Sequence, residues 1–297
     1  MSFHLSAPGK TFIVGEYIAL KGAATLVLTT PPYFELQATA KAASFPNYET
    51  LFHPESPAGK LVKAYAKLFD HFQLHFKDPY YGMGGFGAST AQYVMLNALK
   101  EHLLNTHLKD QELLTQYIQH AWSGQGWAPS GADLIAQRHG GLCIYHKVAQ
   151  QLETISWPFP DLSYGLVHTG HKQATHTHLQ QQIHFNEEPL KAVALRTIAS
   201  VKDKERGSFI ESIHEYGLLL REQNLVTHFT QEILKKMYAF PPIRAAKGCG
   251  ALGADVVLIL FHATDIHEIK DWLQEKKLKL IRAGIEVAKG VTLTEEI

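Results

Sequence analysis

Apolar positions in the first forty residues form three stretches with the composition of strands. TFIVGEYIAL (11–20), ATLVLTT (24–30) and FELQATA (34–40) are rich in β-branched and aromatic residues, which favour an extended backbone. The dipeptides KG and PP separate these stretches, and residues of this kind commonly mark turns. The pattern therefore predicts a meander of three strands.

Helical faces follow from about residue 59, because apolar residues there recur three or four positions apart. The sets are Leu61, Tyr65, Leu68, Phe69 and Phe72; Ala91, Val94, Met95 and Ala98; and Leu113, Leu114, Tyr117, Ile118 and Ala121. Beyond Gly140 and Gly141, the stretches LCIYH and LETISW return to a strand-like composition. The first part of the chain is thus predicted to combine a sheet with helices.

A pair of prolines, Pro158 and Pro160, interrupts the chain before a new apolar strand, LSYGLVH. We place a domain boundary there, which gives one domain over 1–160 and a second over 161–297. The second domain continues with helices up to about Phe240. It ends with the strand DVVLILFH, the helix DIHEIKDWLQEK and the strand KLKLIRAGIEVA. This order predicts a small α+β sandwich.

The charge balance argues against two classes of partner. The 28 lysine and arginine residues equal the 28 aspartate and glutamate residues, so no overall field favours nucleic acid or an acidic membrane. The two cysteines, Cys143 and Cys249, are too few for a disulfide framework. The N-terminal residues lack a secretory pattern. We therefore expect a cytoplasmic protein that binds a small molecule, and homodimer formation stays open.

Glycines are concentrated in GMGGFGASTAQYVML (82–96), directly before a helical pattern. Gly84, Gly85 and Gly87 would allow the backbone to approach a ligand closely. The first turn of the following helix would present unpaired N–H groups with partial positive charge, which suit a phosphate. Ser89 would lie near enough to reach a metal ion bound to a nucleotide. A tight loop capped by Ser89 is an equally good explanation of this segment taken alone.

A second glycine-rich turn, AAKGCGALGADVVLIL (245–260), leads into an apolar strand of the second domain. Two such loops, one in each domain, indicate a cleft with approachable backbone on both walls. The five histidines between His168 and His184 also allow a metal-binding tract, although a solvated loop is the simpler explanation.

Three motifs together resemble the GHMP small-molecule kinases. SAPGKTFIVGEYIALKG (6–22) resembles the first family motif, GGFGASTA (84–91) the phosphate loop, and KGCGALGAD (247–255) the glycine turn of the C-terminal domain. Their order and spacing match the family and frame nearly the whole chain. The resemblance implies an α+β, two-domain fold with a ribosomal protein S5 domain 2-like first half and a ferredoxin-like α/β sandwich as the second. It also implies transfer of the γ-phosphoryl group of ATP to a small acceptor between the domains.

The resemblance assigns roles to individual residues. APSGADLIAQRHGG (128–141) resembles the segment that carries the family's acidic residue, so Asp133 would orient or deprotonate the acceptor with the help of Lys10. Ser130 and Asp133 could instead form a capping box at the start of a helix. The residues implied in ATP binding are Gly84, Gly85, Gly87, Ala88, Ser89 and Thr90, with Ser89 also a ligand of Mg2+.

Two positions depart from the family pattern. Ala88 stands where the family commonly has serine, so one hydroxyl contact to phosphate is absent. Trp122 stands where several members have a glutamate that contacts the metal ion. Magnesium would then depend on Ser89, water and the phosphates themselves, which its water-rich coordination permits.

The acceptor implied by the resemblance is phosphomevalonate, with mevalonate as the alternative. Tyr17, Asp255 and the stretch LVHTGHKQATHTHL (166–179) resemble the phosphomevalonate kinase forms, whereas PSGAD is also close to the mevalonate kinase form. The expected substrate-binding residues are Lys10, Tyr17, Ser130, Gly131, Thr169, Lys247, Gly250 and Asp255. Candidate cations for a phosphate on the acceptor are Lys10, Arg138, His139, Lys172 and Lys247. A third hypothesis is a non-catalytic sensor of nucleotide or metabolite on the same fold.

Overall fold

The computed structural model describes residues 1–40, 51–170, 184–250 and 255–296. In these residues two antiparallel sheets are flanked by helices. The strands of the first sheet are β1 (Ser2–Val14), β2 (Thr25–Ala40), β3 (Phe72–Lys77), β4 (Leu142–His146), β5 (Gln151–Ile155) and β10 (Thr292–Glu296). Those of the second sheet are β6 (Leu162–His168), β7 (Ile243–Cys249), β8 (Val256–His262) and β9 (Lys279–Gly284). The first sheet has the order β10-β1-β2-β4-β5 with β3 also on β2, and the second has the order β7-β8-β6-β9.

The helices lie between these strands along the chain. They are α1 (Pro57–Ala64), α2 (Ala66–Phe69), α3 (Ala88–Leu103), α4 (Asp110–Ala121), α5 (Ala132–His139), α6 (Glu187–Lys202), α7 (Arg206–Glu222), α8 (His228–Tyr238) and α9 (Ile266–Glu275). In the part of the chain just defined, none of them combines the length and apolar character needed to cross a bilayer. The combination of two antiparallel sheets with packed helices confirms the predicted α+β class.

The predicted three-strand meander is wrong in two places. The strand β1 ends at Val14, and a short 3-10 helix, Ile18–Lys21, occupies the end of the first stretch. The strand β2 continues through the two prolines. Pairing with β1 passes from Pro8↔Tyr33 to Gly9↔Thr30, so the prolines fall in an irregularity where the partner strand requires no N–H donor.

The first predicted helical face is also too long. The helices α1 and α2 cover its first part, but Phe72 begins the strand β3 and pairs with Ala40 of β2. Its side chain is buried and contacts the ring of Phe3 edge-on at 5.7 Å. The aromatic residue satisfies either pattern, and packing on the sheet decides between them.

The C-terminal segment returns to the first sheet. The strand β10 pairs with β1, with Ser2 opposite Glu296. Just before it, Ala288 donates from its backbone N–H to the carbonyl of Thr29 (3.0 Å) and accepts from the N–H of Gly141 (2.7 Å). The sequence places these last residues with the second half, whereas their hydrogen bonds join them to the first. The division at residue 160 itself stays a prediction.

Candidate active site

The glycine-rich loop ends at the N-terminus of α3, a helix of 16 residues. Gly87 is the N-cap with φ 85°, a left-handed conformation that favours glycine. No side chain among the described residues caps this end, and the first bond within the helix runs from the Ala91 N–H to the Gly87 carbonyl (2.9 Å). The N–H groups of the first turn therefore remain available to an anion. Ser89 lies in this turn with its side chain exposed.

Gly84 lets this loop approach the second half of the chain. A Cβ atom at Gly84 would lie 2.7 Å from Cγ of Asp255, and one at Gly85 would lie 2.7 Å from Cγ2 of Val256. Distances this short require a shift of the neighbouring atoms. The structure thus brings the predicted phosphate loop against the start of β8.

Lys10 and Asp133 lie beside the same loop. The Lys10 ammonium is 3.9 Å from Oδ2 of Asp133, and the two side chains are 11% and 25% exposed. The backbone N–H of Lys10 donates to the carbonyl of Phe86 in the loop (3.0 Å). A Cβ atom at Gly87 would lie 2.8 Å from Cγ of Lys10. The cation, the carboxylate and the free helix N-terminus are therefore neighbours, as the motifs predict.

The capping box suggested for Ser130 and Asp133 does not form. Gly131 is the N-cap of α5, with φ 74°, and no side chain in the described ranges makes the capping hydrogen bond. The Ser130 hydroxyl accepts from the Ala132 N–H (3.3 Å), and Oδ1 of Asp133 accepts from the Leu134 N–H (3.0 Å). The second carboxylate oxygen of Asp133 is left facing Lys10.

A buried tyrosine supports the loop. The sequence gave no reason to single out this tyrosine. Tyr80 stacks on Phe86 with ring centroids 4.2 Å apart, and its hydroxyl donates to the Pro32 carbonyl (2.9 Å). A Cβ atom at Gly9 would lie 2.1 Å from that hydroxyl oxygen. Burial raises the pKa of Tyr80 well above its ordinary value, so the group stays a neutral donor. The glycine of APGK is therefore needed to admit this tyrosine.

Thr169, Gly250 and Asp255 gather beside the loop. The backbone N–H and the hydroxyl of Thr169 donate to the Asp255 carbonyl at 3.1 and 3.3 Å. A Cβ atom at Gly250 would lie 3.8 Å from Oδ2 of Asp255. Together with Gly84, these residues bring part of the predicted substrate-binding set to one face. Lys172, most of the histidine-rich segment and residues 251–254 of the third motif lie outside the described residues.

Lys247 and Tyr17 lie at a different contact between the halves. Lys247 is completely buried on β7, and its ammonium contacts the Glu16 carboxylate. Burial lowers the pKa of Lys247, but Cys249 and Glu16 together raise it by more, and the net direction is upward. Tyr216 of α7 accepts from the Gly15 N–H (3.1 Å) and donates to the Glu16 carbonyl (3.0 Å). Lys247 therefore bridges the two halves, rather than presenting an exposed charge.

Tyr17 is 7% exposed and immediately follows Glu16. Its hydroxyl donates to the Leu225 carbonyl (3.3 Å), and its ring contacts Phe185 edge-on at 5.8 Å. A direct contact of Tyr17 or Lys247 with substrate stays a prediction.

Arg138 and His139, two of the candidate cations, contact acidic side chains of the protein itself. Arg138 donates to the Leu108 carbonyl (2.6 Å) and lies 3.4 Å from Asp110 and 3.7 Å from Glu101. His139 lies 2.9 Å from both carboxylate oxygens of Asp110. These contacts join α4 to α5 and stabilise the helix that carries the candidate base.

The contacts of Asp110 with Arg138 and His139 predict a pH-dependent contribution to the free energy of unfolding. The hydrogen bond from His139 is the main cause that holds the pKa of Asp110 below its ordinary 3.8, with burial opposing it. A depressed pKa stabilises the fold above the unfolded-state value, and the contribution is lost as pH falls through the folded-state value. Asp110→Asn should therefore lower the unfolding free energy at pH 7 by at most about 1 kcal/mol after solvent screening.

That difference should shrink below about pH 4. Urea unfolding at several pH values measures it, and the exposed Asp271→Asn on α9 is the control. An undiminished difference at low pH would show that Asp110 does not act through its charge.

The described residues hold no group of three side chains of the kinds that commonly ligate a metal ion. The metal role of Ser89 stays a prediction. The exposure of Ser89 on the first turn of α3 fits a metal ion that is carried mainly by phosphates and water.

Sequence comparison found no match, either among protein-family models or among curated proteins. Structural comparison found extensive likeness at low identity. The Streptococcus pneumoniae phosphomevalonate kinase in complex with phosphomevalonate and AMPPNP has a TM-score of 0.72 and 15% identity, covering 95% of this chain and 99% of that one. The Methanococcus jannaschii mevalonate kinase gives 0.73 and 15%, covering 95% and 98%. The Lactococcus lactis galactokinase with galactose gives 0.74 and 11%, covering 98% and 95%.

These likenesses span both halves of the chain and confirm the two-part GHMP kinase fold expected from the motifs. The three proteins share one fold but are named for different acceptors. The fold therefore does not by itself assign an acceptor to this chain.

Proposed function

Because the chain has the GHMP kinase fold, we propose that it transfers the γ-phosphoryl group of ATP to a small acceptor. The observation that carries this proposal is the Lys10–Asp133 pair at 3.9 Å beside the uncapped N-terminus of α3. A purely structural salt bridge would not require a left-handed glycine, Gly87, and a free first turn next to it.

The phosphates of ATP would lie on the loop and on the first turn of α3. Backbone N–H groups there point towards the ligand, and the helix dipole favours negative charge. The residues that would hold the nucleotide are Gly84, Gly85, Gly87, Ala88, Ser89 and Thr90. ATP here is a substrate, since its terminal phosphoryl group is consumed.

Asp133 would accept the proton of a hydroxyl acceptor such as mevalonate. The phosphate of phosphomevalonate is already largely ionised at pH 7, so for that acceptor Asp133 would orient the attacking oxygen. The acceptor oxygen then forms a bond to the γ-phosphorus, and the bond from that phosphorus to the bridging oxygen breaks, so the electron pair leaves with ADP. Lys10 keeps the carboxylate ionised and offsets the charge on the transferring group. Mg2+, held by Ser89 together with the phosphates and water, would neutralise phosphate charge when bound.

Phosphomevalonate is the proposed acceptor. Its support is the set of Tyr17, Thr169 and Asp255, of which Thr169 and Asp255 lie beside Gly84 of the loop. Mevalonate is the second candidate. It is favoured by the engagement of Arg138, His139 and Lys247 with carboxylates, because these cations are then less available to a phosphate on the acceptor.

The test is an assay of ADP release by the purified full chain with magnesium, ATP and either acceptor. Turnover with 5-phosphomevalonate supports the first candidate, and turnover with mevalonate alone selects the second. Nucleotide binding without ADP release in the presence of either acceptor would refute the proposed phosphotransferase and favour a sensor.

The metal role of Ser89 gives a separate prediction. Ser89→Ala should weaken binding of the magnesium complex of AMPPNP by about tenfold, since a contact to a charged group is worth about 1.5 kcal/mol. Affinity for AMPPNP without magnesium should change much less. Calorimetric titration measures both, and the exposed Ser156→Ala after β5 is the control. Equal losses with and without magnesium would contradict the metal role.

A further inference from the structure

A buried glutamine lies on α5, one turn after Asp133. Gln137 is 0% exposed, and both hydrogens of its amide nitrogen have acceptors. The nitrogen donates to the Pro8 carbonyl (2.7 Å) and to the Gly87 carbonyl (3.2 Å). The amide oxygen accepts from the Thr90 hydroxyl. A single side chain thus contacts two separate segments, Pro8 on β1 and the junction of loop and helix at residues 87–90.

Only one orientation of this amide satisfies its neighbours. The carbonyl oxygens of Pro8 and Gly87 both face the same end of the amide, and only the nitrogen can donate to them, although the Gly87 carbonyl also accepts from the Ala91 N–H. In the reverse orientation the amide oxygen of Gln137 would face the carbonyl oxygens of Pro8 and Gly87, with no proton between it and either of them. Burial makes such a loss costly, by about 1–3 kcal/mol for each unsatisfied group. The chemistry of the site therefore fixes the rotamer and orientation of Gln137.

The segments that Gln137 joins are those of the proposed reaction. Asp133 and Gln137 are four residues apart and lie on one face of α5. Pro8 lies on β1 two residues before Lys10. The other two contacts are the end of the phosphate loop and the first turn of α3. The amide thus connects the helix that carries the candidate base directly to the loop that would hold the phosphates.

We propose that Gln137 is a positioning residue, which sets the distance between the Asp133 carboxylate and the terminal phosphate held by the loop. This inference rests on the proposed phosphotransferase function. Gln137 is completely buried, so it would act through the elements that it joins.

The expected effect is on the chemical step. A misplacement of about 1 Å between reacting groups can reduce a rate by about a hundredfold. Without Gln137, the loop keeps its own backbone N–H groups, so the nucleotide should still bind. The distance between the Asp133 carboxylate and the terminal phosphate would no longer be fixed. The loss should therefore appear in kcat, with little change in the KM for ATP.

The test compares Gln137→Leu with Asn97→Leu. Asn97 is a matched control because it is 1% exposed on α3, donates to the Tyr93 carbonyl (3.2 Å) and accepts from Lys100 (2.8 Å). Both variants remove a buried amide and should lose similar stability. Gln137→Leu should lose about 10- to 100-fold in kcat, with the KM for ATP and the Kd for magnesium–AMPPNP within about threefold. Asn97→Leu should keep its kcat.

Gln137→Glu supplies a second readout that also serves if Gln137→Leu does not fold. A protonated carboxyl can donate one hydrogen bond towards the carbonyls, whereas an ionised one can donate none. The ratio of kcat in Gln137→Glu to kcat in the wild type should therefore fall as pH rises. A constant ratio would overturn the proposed role.

The outcomes separate this inference from the proposed function. A wild-type chain without turnover refutes both. Wild-type turnover with a Gln137→Leu kcat within about twofold of it refutes the positioning role alone. An equal loss of kcat in Asn97→Leu would also overturn it, because the effect would then follow from stability.

Discussion

Replacing Asp133 by asparagine is expected to reduce turnover by about a thousandfold, as is typical when a general base is removed. Asparagine has nearly the same shape but cannot accept the proton of a hydroxyl acceptor such as mevalonate. It also removes the negative charge that Lys10 faces at 3.9 Å. Nucleotide binding should be almost unchanged, because the loop contacts are made by the backbone. Steady-state ADP release and titration with magnesium–AMPPNP measure the two effects.

Asp110→Asn is the matched control for this substitution. Asp110 begins α4, just as Asp133 lies in the first turn of α5, and its charge pairs with Arg138 and His139 rather than with Lys10. The control should keep its turnover and lose only a little stability. Unchanged turnover in Asp133→Asn would remove the assigned role of that carboxylate.

Lys247→Met should destabilise the fold by about 3–5 kcal/mol, which is the usual cost of removing one partner of a buried ion pair. The Glu16 carboxylate would be left buried at a contact between the halves, and one of its oxygens already lacks a hydrogen-bond partner among the described residues. Urea unfolding of the variant and the wild type at pH 7 measures the change.

The double variant with Glu16→Gln and Lys247→Met tests the cause of that loss. Removing both charges should recover a substantial part of the stability, because no uncompensated charge then remains. A single variant as stable as the wild type, or a double variant no better than Lys247→Met alone, would show that the ion pair is not what stabilises this contact.

Local patterns predicted several elements of the fold well. The stretches LCIYH and LSYGLVH coincide with β4 (Leu142–His146) and β6 (Leu162–His168), because continuous apolar runs flanked by turn residues specify buried strands. The pairing of β10 with β1 joins the two ends of the chain. No local pattern encodes so distant a pairing, and KLKLIRAGIEVA therefore appeared to be the last strand.

The site shows the same division between local and tertiary information. The motifs placed Lys10 and Asp133 correctly as neighbours, because each lies at a fixed place in a short motif that contains glycine and proline. Lys247 was a candidate cation for a phosphate on the acceptor. No local pattern indicated its ion pair with Glu16, which comes from packing, and its contact with substrate stays a prediction. The spacing of Gln137 from Asp133 was the one available indication of its place, but its partners come from two distant segments, β1 and residues 87–90.

The central claim is that the loop before α3 holds a triphosphate whose terminal group faces Asp133. A crystal structure of the chain with magnesium, AMPPNP and an acceptor tests it most directly. The predicted result is a terminal phosphate on the N–H groups of residues 88–90, with the attacking oxygen of the acceptor within reach of Asp133, about 3 Å from a carboxylate oxygen if it is a hydroxyl. A triphosphate bound away from that helix end, or an attacking oxygen beyond the reach of Asp133, would contradict the claim.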